Sequence, residues 1–519
     1  MSIRNTTQTG LGTQNINNSD SGNQNINYGG DQINAGRDFV RIFNATVFNS
    51  YAGLWGAVSG VGGSHTAEQQ FERGHCLPGT REEVLAIIRA WCRAKRQKHP
   101  ILWLTGTAGV GKSAIAMSVA RECEGRGPIS SFFFFRSDSK RNNPSAFIPT
   151  IAHGLLSTTR FMRRPLERRI SKDPMILEGK LEDQFRELVL EPIMLWTWER
   201  CLCAFLGAMW GIFHPLALVG VPIEIMWAFF FTLSFVAPLE SPTVIVIDGL
   251  DECGDEKTQL RILSTIRSAF QQVPSFPLRF LICSRPESWL REAFASHPLR
   301  ELSKTILLDG SFMPDRDIMR YYHDQFQEIL SDPKYSQVRF PSSWPSKEEY
   351  EVLVVRSCGQ FIYAVTVIKF VKLIYFHPVA QLRIVLDRTP NHRSSKSLYY
   401  ELDCLYDVIL DANPDHDAVL LILAAILVLP DYLKPSPANI ELLLGLPSGQ
   451  VALTLRAMYS VLDVRGAEDD IVVYHTSFTD YLHDPARSRD FHVDIQAQRI
   501  TIARKWLQQL TESGMRTFG

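Results

Sequence analysis

The stretch that decides the fold of this chain is Gly106-Thr107-Ala108-Gly109-Val110-Gly111-Lys112-Ser113. It fits the pattern Gly-x-x-x-x-Gly-Lys-[Ser/Thr], a glycine-rich turn whose backbone N–H groups surround a polyphosphate. The apolar run at 101–104 predicts a buried strand before the turn, and residues 113–120 predict a helix after it. The alternative is an ordinary glycine-rich turn, which does not require a strand on one side and a helix on the other. We therefore predict that all eight residues bind a nucleotide.

Two residues of this loop carry most of its chemistry. In the pattern, the lysine reaches the outer phosphates and the hydroxyl after it ligates Mg²⁺. We assign these roles to Lys112 and Ser113. The N-terminus of the helix that follows adds a dipole that favours negative charge. The predicted cofactors are accordingly ATP or ADP together with Mg²⁺.

A second segment supplies the acidic groups that such a site needs. Residues 244–247 predict an apolar strand that ends at Asp248, which places this carboxylate at the strand tip beside the phosphate loop. There Asp248 is predicted to hold Mg²⁺ through water, while Asp251 or Glu252 polarises an attacking water. The alternative is an acidic loop that merely follows a core strand.

A third segment adds a cation at the end of another strand. Residues 278–283 predict a strand next to the acidic one, and Arg285 follows it. We predict that Arg285 senses the outermost phosphate and reports its loss. The alternative is a surface arginine that pairs with Glu287.

Three segments therefore stand in a fixed order along the chain: GTAGVGKS at 106–113, IVIDGLDE at 245–252 and LICSRPE at 281–287. In this order they resemble the NACHT family of STAND-class P-loop NTPases, of the fungal NOD-like receptor type, with a nephrocystin-like N-terminal P-loop domain. The run at 76–81 looks like the entry segment of that family. The resemblance implies that Pro78 and Arg81 lie near the base and ribose.

Two segments further along the chain extend the resemblance. The run at 357–364 looks like the helical-domain motif of the family, and the run at 474–482 looks like its winged-helix motif. In that motif the histidine, here His475, approaches the bound diphosphate. By its chemistry alone, a lone histidine at a strand end also fits a purely structural role.

The fold class implied is α/β, with a P-loop NTPase parallel sheet that has helices on both faces, followed by a helical domain and a winged-helix domain. The predicted units are low-complexity repeats at 1–40, a linker with a short helix (66–72) at 41–75, the nucleotide-binding domain at 76–300, a helical domain at 301–395, a winged-helix-like domain at 396–490 and a C-terminal helix at 491–519. The order of two helices and a strand pair supports the winged helix. The acidic run at 468–470 falls in its wing tip, which argues against contact with DNA phosphates.

The resemblance implies a signalling switch. In the family, ADP holds the helical and winged-helix domains on the phosphate loop, and exchange for ATP frees the core to form a homo-oligomer. Gly249 follows Asp248 where a dedicated hydrolase commonly has glutamate, which favours slow ATP hydrolysis. The alternatives are a continuously cycling NTPase and a non-functional or decoy product. No repeat array that could sense a ligand follows the winged helix before Gly519, so the expectation from this sequence is a missing or very short sensor.

The first forty residues are rich in Asn, Gly and Gln. They contain related units at 12–17, 22–27 and 30–34, each with one isoleucine. One interpretation is a disordered polar tail. The other is amyloid-like pairing through residues 12–34 between clustered molecules, with an apolar column and amide ladders.

An apolar segment at 194–239 interrupts the nucleotide-binding domain. Its length allows a transmembrane helix or hairpin, and it is the one place where membrane contact is predicted. A membrane span here would have to leave and rejoin one continuous sheet. Three interpretations stay open: a translated intron or gene-model error, a membrane-seeking hairpin, and an apolar insertion packed on the protein.

Composition excludes several other classes of protein. The chain has 519 residues, 45% of them hydrophobic, with a formal net charge of −1 and a pI near 6.9. No basic field suggests a nucleic-acid partner. The 9 cysteines have no metal-binding spacing, and the N-terminus has no apolar run typical of a signal peptide. We predict a cytoplasmic protein.

Overall fold

The computed structural model describes residues 25–28, 31–34, 53–67, 74–94, 97–124, 129–136, 138, 140–158, 162–195, 243–273, 276–373, 376–387, 399–429 and 433–516. Most of the apolar segment at 194–239 and most of the repeats at 12–34 lie outside the described residues. Strands β1 (Asn25–Tyr28) and β2 (Asp31–Asn34) form an antiparallel pair with Ile26 opposite Ile33. This pair joins the last two repeats within one chain, and pairing between chains stays a prediction.

A parallel sheet forms the centre of the nucleotide-binding domain. Its five described strands are β3 (Ile101–Thr105), β4 (Ile129–Phe133), β5 (Thr243–Asp248), β6 (Leu278–Ser284) and β7 (Ser303–Leu307). They lie in the order β4-β5-β6-β3-β7. The strand of Arg285 is thus next to the acidic strand, as predicted. Because β6 separates β5 from β3, Asp248 is not on the strand next to the one that leads into the phosphate loop. Strands β4 and β7 were not predicted.

Side chains alternate between the two faces of this sheet along each strand, and both faces are covered by apolar clusters. On β3, Ile101 and Trp103 belong to one apolar cluster, while Leu102 and Leu104 belong to the cluster on the other face. A strand buried on both faces is typically a near-continuous apolar run, which is what the sequence has at β3 and β5.

Helices cover the two faces. They are α1 (Glu82–Arg93), α2 (Lys112–Cys123), α3 (Phe147–Thr158), α4 (Arg163–Lys172), α5 (Leu181–Phe185, continuing as a π-helical turn at Arg186–Leu190), α6 (Glu256–Gln272), α7 (Ser288–Ala295) and α8 (Leu299–Leu302), with 3₁₀ turns at Pro174–Glu178 and Leu250–Glu252. Helices α1 and α2 pack on one face, and α3 to α8 on the other. The α/β, P-loop NTPase-like fold is therefore confirmed.

The linker differs from its prediction. Its described helix lies at 53–58, whereas residues 66 and 67 form a turn and 68–73 lie outside the described residues. The prediction of a short helix at 66–72 is therefore wrong for residues 66 and 67. Leu54 explains the actual position, since its side chain is fully buried in the core beside α3.

The remaining described residues form a mainly helical region. Its elements are α9 (Pro314–Ser331), α10 (Lys347–Ser357), α11 (Phe361–Val371), α12 (Pro378–Asp387), α13 (Tyr400–Asp411), α14 (His416–Val428), α15 (Pro437–Leu444), α16 (Gln450–Thr454), β8 (Leu462–Asp463), β9 (Val472–Val473), α17 (Thr476–His483), α18 (Pro485–Ser488) and α19 (Ile495–Arg516), with 3₁₀ turns at Gly310–Phe312, Pro333–Tyr335, Leu455–Met458 and Arg489–Phe491. One apolar cluster runs through it from Ile318 to Ile502. The predicted order of two helices and a strand pair is present, although each strand has only two residues. The domain boundary at 395/396 stays a prediction.

Two features of this region qualify the predictions. The predicted helical domain at 301–395 includes two helices, α10 and α11, which are separated at Cys358 and Gly359 because both residues adopt positive φ, at 46° and 72°. The acidic run at 468–470 is exposed between β8 and β9, as expected for a wing tip. Within the described part of the chain, we find no helix with the length and apolarity needed to cross a membrane.

Candidate functional site

The phosphate loop runs from the end of β3 to the start of α2. Gly109 and Gly111 have φ of 78° and 94°, a left-handed conformation that side chains rarely adopt. Gly111 caps α2, and the position of a Cβ there is open, with no atom within 4 Å. The loop therefore has the glycines where the backbone must turn and where a ligand could approach closely.

Lys112 points back into the loop. Its Nζ donates to the carbonyl oxygens of Gly106 at 2.8 Å and Thr107 at 2.9 Å. Burial lowers the pKa of Lys112, and the nearby carboxylates of Asp251 and Asp248 partly restore it. Phosphate oxygens are stronger acceptors for an ammonium group than neutral carbonyls are. The environment of Lys112 thus fits an anion.

Ser113 and Asp248 are the predicted metal ligands, and their chemistry fits Mg²⁺. Asp248 is 2% exposed at the carboxyl end of β5, and Ser113 is exposed in the first turn of α2. Both offer hard oxygen atoms. In the described residues, no group of three His, Cys, Asp or Glu side chains could hold a metal ion. Mg²⁺ would therefore take its other ligands from phosphate and water, as it usually does.

Arg285 follows β6 and contacts the acidic segment. Its backbone N–H donates to Asp251 Oδ1 at 2.9 Å, and its Nε lies 3.3 Å from Asp251 Oδ2. Burial disfavours the charge of Arg285, yet the carboxylates of Asp480 and Asp251 raise its pKa above the usual value. The alternative pairing with Glu287 is not what the structure has.

The guanidinium of Arg285 also reaches helix α17, far along the chain. Nη1 donates to Asp480 Oδ2 at 2.6 Å, and Nη2 donates to Thr476 Oγ1 at 2.8 Å. Thr476 in turn donates to Glu252 Oε1 at 3.2 Å. Both predicted catalytic acids, Asp251 and Glu252, are thus held in a network that joins the nucleotide domain to α17.

Arg136 is a further site residue, which the sequence analysis missed. Its backbone N–H donates to Glu252 Oε2 at 3.1 Å, and its Nη2 donates to the carbonyl of Asp251 at 3.2 Å. Its Nη1 lies 3.3 Å from Asp480 Oδ1. The available signal was a basic residue directly after the apolar run at 132–135, since parallel strands end at the same edge of a sheet.

His475 caps α17. Its Nδ1 accepts the backbone N–H of Ser477 at 3.1 Å, so in the neutral imidazole we assign the proton to Nε2. Thr476 and Asp480 of α17 both bond to the side chain of Arg285 in the nucleotide domain. The predicted contact of His475 with a diphosphate stays a prediction.

Pro78 and Arg81 differ from each other in their surroundings. Pro78 is exposed, while Arg81 is 4% exposed and donates from Nη2 to the carbonyl of Val110 at 2.8 Å. Arg81 therefore contacts the outer side of the phosphate loop. Their predicted proximity to a base and ribose stays a prediction.

A cleft of about 580 Å³ opens between the phosphate loop and the C-terminal region, which we define as residues 399–516. It is mostly polar and is lined by Ala108, Arg136, Arg285, Tyr399, Ser477, Asp480, His483, Asp484, Pro485 and Arg487. Its volume lies in the range usual for small-molecule sites. The loop, the two arginines and α17 thus face one common space.

Gly249 joins the end of β5 to the 3₁₀ turn that contains Asp251, at a place that has little room for a side chain. Its φ is 69°, and a Cβ there would lie 3.0 Å from the carbonyl oxygen of Phe134. We expect Gly249→Ala to lower the free energy of unfolding by about 2–4 kcal/mol, from the left-handed backbone and the close contact together. Gly449→Ala is the matched control, with φ of 84° and no atom within 4 Å of the new Cβ. It should cost about 1 kcal/mol. Equal losses in denaturant titrations would contradict this role of Gly249.

The chain is similar to known proteins over part of its length. It matches the family described as Nephrocystin 3, N-terminal, over residues 79–208 and 221–285. The matched residues include the phosphate loop and both strand-end segments, which supports the P-loop NTPase-like fold. None of the curated proteins matches this chain in sequence.

The family match also bears on the apolar segment. It is interrupted at 209–220, so the parts of the segment at 194–208 and 221–239 fall inside matched residues. The interruption in the family match is therefore shorter than the apolar segment at 194–239.

Two solved structures are similar at a low level. A structure of Drosophila ORC bound to DNA is 13% identical, covers 78% of this chain and 87% of its own, and has a TM-score of 0.31. A structure of the Aeropyrum pernix ORC2 protein in ADPNP-ADP complexes is 11% identical, covers 87% of this chain and 100% of its own, and has a TM-score of 0.30. At such scores the fold has to be argued from the sheet order and the phosphate loop alone.

Proposed function

We propose that this chain is a nucleotide-operated signalling switch of the NOD-like receptor type, closed with ADP and opened by exchange for ATP. The observation that carries the proposal is the position of Arg285. Its guanidinium is bonded both to Asp251 in the nucleotide domain and to Asp480 and Thr476 on α17. Arg285, which is suited to bind the outer phosphate, is therefore already bonded to side chains of α17.

Competition for Arg285 gives the switch a physical basis. A terminal phosphate carries more charge than one carboxylate and offers several acceptor oxygens, so it competes with Asp480 for the guanidinium. Once Arg285 turns to a phosphate oxygen, Asp480 retains Arg136, whose side chain is 49% exposed. Exposed ion pairs contribute little stability. The contact between α17 and the nucleotide domain then weakens, and the C-terminal region separates.

The predicted site residues have distinct roles in this proposal. The loop N–H groups and Lys112 bind the phosphates, while Ser113 and Asp248 hold Mg²⁺, which would neutralise phosphate charge. The Nε2–H of His475 donates to a phosphate oxygen in the closed state. Arg285 changes partners between the two states.

The same contacts slow hydrolysis of any ATP that binds before the protein opens. A general base must lie within hydrogen-bond reach of the attacking water. Asp251 is bonded to Arg285, and Glu252 is bonded to Thr476 and Arg136. In the closed arrangement, both acids are therefore engaged elsewhere. A continuously cycling NTPase is the second candidate, and it would require these contacts to break in every turnover.

The output of the switch is proposed from the family resemblance. In the ATP state the core forms a homo-oligomer in the cytoplasm, and the clustered repeats at 12–34 pair between chains. If a peptide of residues 1–40 stays monomeric at high concentration, without a β-sheet signal in circular dichroism, this output is excluded.

Whether the mature protein contains the apolar segment at 194–239 depends on the origin of that segment. We propose a translated intron, with a membrane-seeking hairpin and a packed insertion as alternatives. Transcripts that lack the segment should dominate in sequencing of mature RNA. Membrane-fraction partitioning that is lost when 194–239 is deleted would favour the hairpin instead.

Purified full-length chain tests the switch directly. We expect it to retain ADP, to be monomeric by light scattering with ADP, and to form larger species with Mg²⁺ and a non-hydrolysable ATP analogue. Hydrolysis should be far slower than one ATP per second. Steady turnover of many ATP per second would favour the cycling NTPase, and failure to bind either nucleotide would exclude both and favour a non-functional product.

A further inference from the structure

Two carbonyl groups of the phosphate loop are held from its outer side. The backbone N–H of Ile362 donates to Gly109 O at 3.0 Å. The Nη2 of Arg81 donates to Val110 O at 2.8 Å. These donors come from segments that lie far from the loop in sequence, one before it and one after it.

These two bonds fix the direction of the loop N–H groups. A trans peptide is planar, and its C=O and N–H point in opposite directions. If the carbonyls of Gly109 and Val110 point outward, the N–H groups of Val110 and Gly111 point to the opposite side. That side is where the loop would surround phosphate oxygens. The bonds from Ile362 and Arg81 therefore orient the backbone N–H groups of Val110 and Gly111 toward the phosphate side.

The donor from Ile362 is available because of its place in helix α11. It lies in the first turn, where N–H groups have no partner inside the helix. Its side chain also packs on the loop, since a Cβ at Gly109 would clash with Ile362 Cγ2 and lie 3.0 Å from Ile362 Cβ. Gly109 is thus required both by its φ and by this close approach.

The donor from Arg81 is tied to the same helical region. Its guanidinium lies over the ring of Phe361, 4.8 Å from the centroid. Its backbone N–H donates to Asp317 Oδ2 on α9 at 2.9 Å. The orientation of Arg81 therefore depends on α9 and α11 being docked on the nucleotide domain.

We propose that Arg81 and Ile362 are positioning residues that set the phosphate loop for nucleotide binding only while α9 and α11 are docked. This proposal rests on the proposed function, because it concerns the same loop. Binding free energies are reciprocal, so nucleotide must favour docking of α9 and α11 as much as their docking favours nucleotide.

Substitutions that remove or keep each donor test the proposal in the full-length chain. Ile362→Pro removes the N–H, whereas Ile362→Ala keeps it. Arg81→Met removes the guanidinium but keeps an apolar stem, whereas Arg81→Lys keeps one donor. We expect Ile362→Pro and Arg81→Met each to weaken ADP binding in calorimetry by about tenfold, and the two controls by less than about threefold. Equal affinity within each matched pair would overturn the proposal.

Amide hydrogen exchange without nucleotide gives a second, independent measurement. The N–H of Ile362 should be protected in the nucleotide-free wild type, and Arg81→Met should accelerate its exchange by about tenfold or more, because the loop then loses its outer support. An unprotected Ile362 N–H in the wild type would overturn the proposal even if ADP binds. If the wild type binds no nucleotide while this protection is present, the proposed function fails and the support of the loop stands. A melting temperature for each variant identifies any that does not fold, and Arg81→Met then replaces Ile362→Pro as the deciding variant.

Discussion

Replacing Lys112 by alanine is expected to weaken ADP and ATP binding by at least about 100-fold, equivalent to about 3 kcal/mol. The ammonium group of Lys112 already lies against the loop carbonyls of Gly106 and Thr107, in a half-buried position where burial lowers its pKa. A phosphate chain would replace these neutral acceptors by charged ones, so the ammonium group would gain an ion pair in addition to its hydrogen bonds. Calorimetry of the purified full-length chain with each nucleotide measures the loss.

The matched control is Lys347→Ala, which removes the same charge from a side chain that is 85% exposed at the start of α10. It should leave affinity unchanged. The folded state of Lys112→Ala is checked by its thermal unfolding without nucleotide, which should be at least as stable as the wild type, since a desolvated charge is removed. Unchanged nucleotide affinity in Lys112→Ala would refute the assignment of this loop as the phosphate site.

Three of the five described strands of the parallel sheet, β3, β5 and β6, were predictable from the sequence, for a simple physical reason. A strand buried on both faces has to be a continuous apolar run, and the runs ending at Thr105, Asp248 and Ser284 are of this kind. Strand β7 is different, because Lys304 and Thr305 are exposed near the sheet edge. Its sequence therefore has no continuous apolar run, and it was not predicted. Strand β4 was not predicted either, and its apolar run is interrupted by Ser130 and Ser131.

The site was predictable only where its residues follow strands. Asp248 and Arg285 stand directly after predicted strands, and parallel strands bring such ends together. The contact of Arg285 with Asp480 joins residues 195 positions apart, and no local pattern determines which helix docks there. The winged-helix motif at 474–482 contains Thr476 and Asp480, which are four residues apart and therefore lie on one face of α17. That spacing was the signal that could have placed them.

Asp480→Asn is expected to release α17 from the nucleotide domain and to accelerate ADP release by about 20- to 50-fold. Asp480 accepts from Arg285 at 2.6 Å and lies 3.3 Å from Arg136, so one carboxylate neutralises two guanidinium groups. The side chains of Arg285 and Asp480 are 16% and 22% exposed. A hydrogen bond between charged groups with this little solvent contributes about 2 kcal/mol, which is a factor of about 30 in the equilibrium between closed and open forms. Stopped-flow release of a fluorescent ADP analogue measures the change.

Glu468→Gln is the charge-matched control, because Glu468 lies in the exposed acidic run between β8 and β9. It should release ADP at the wild-type rate. The open form of Asp480→Asn should also be visible as a larger radius of gyration in X-ray scattering with ADP bound, and as self-association without exchange for ATP. These results separate a latch from a purely structural contact: a structural contact would lower the melting temperature without changing the rate of ADP release. If a folded Asp480→Asn protein releases ADP at the wild-type rate, Asp480 is not the latch. The proposal that a phosphate competes with Asp480 for Arg285 would then fail.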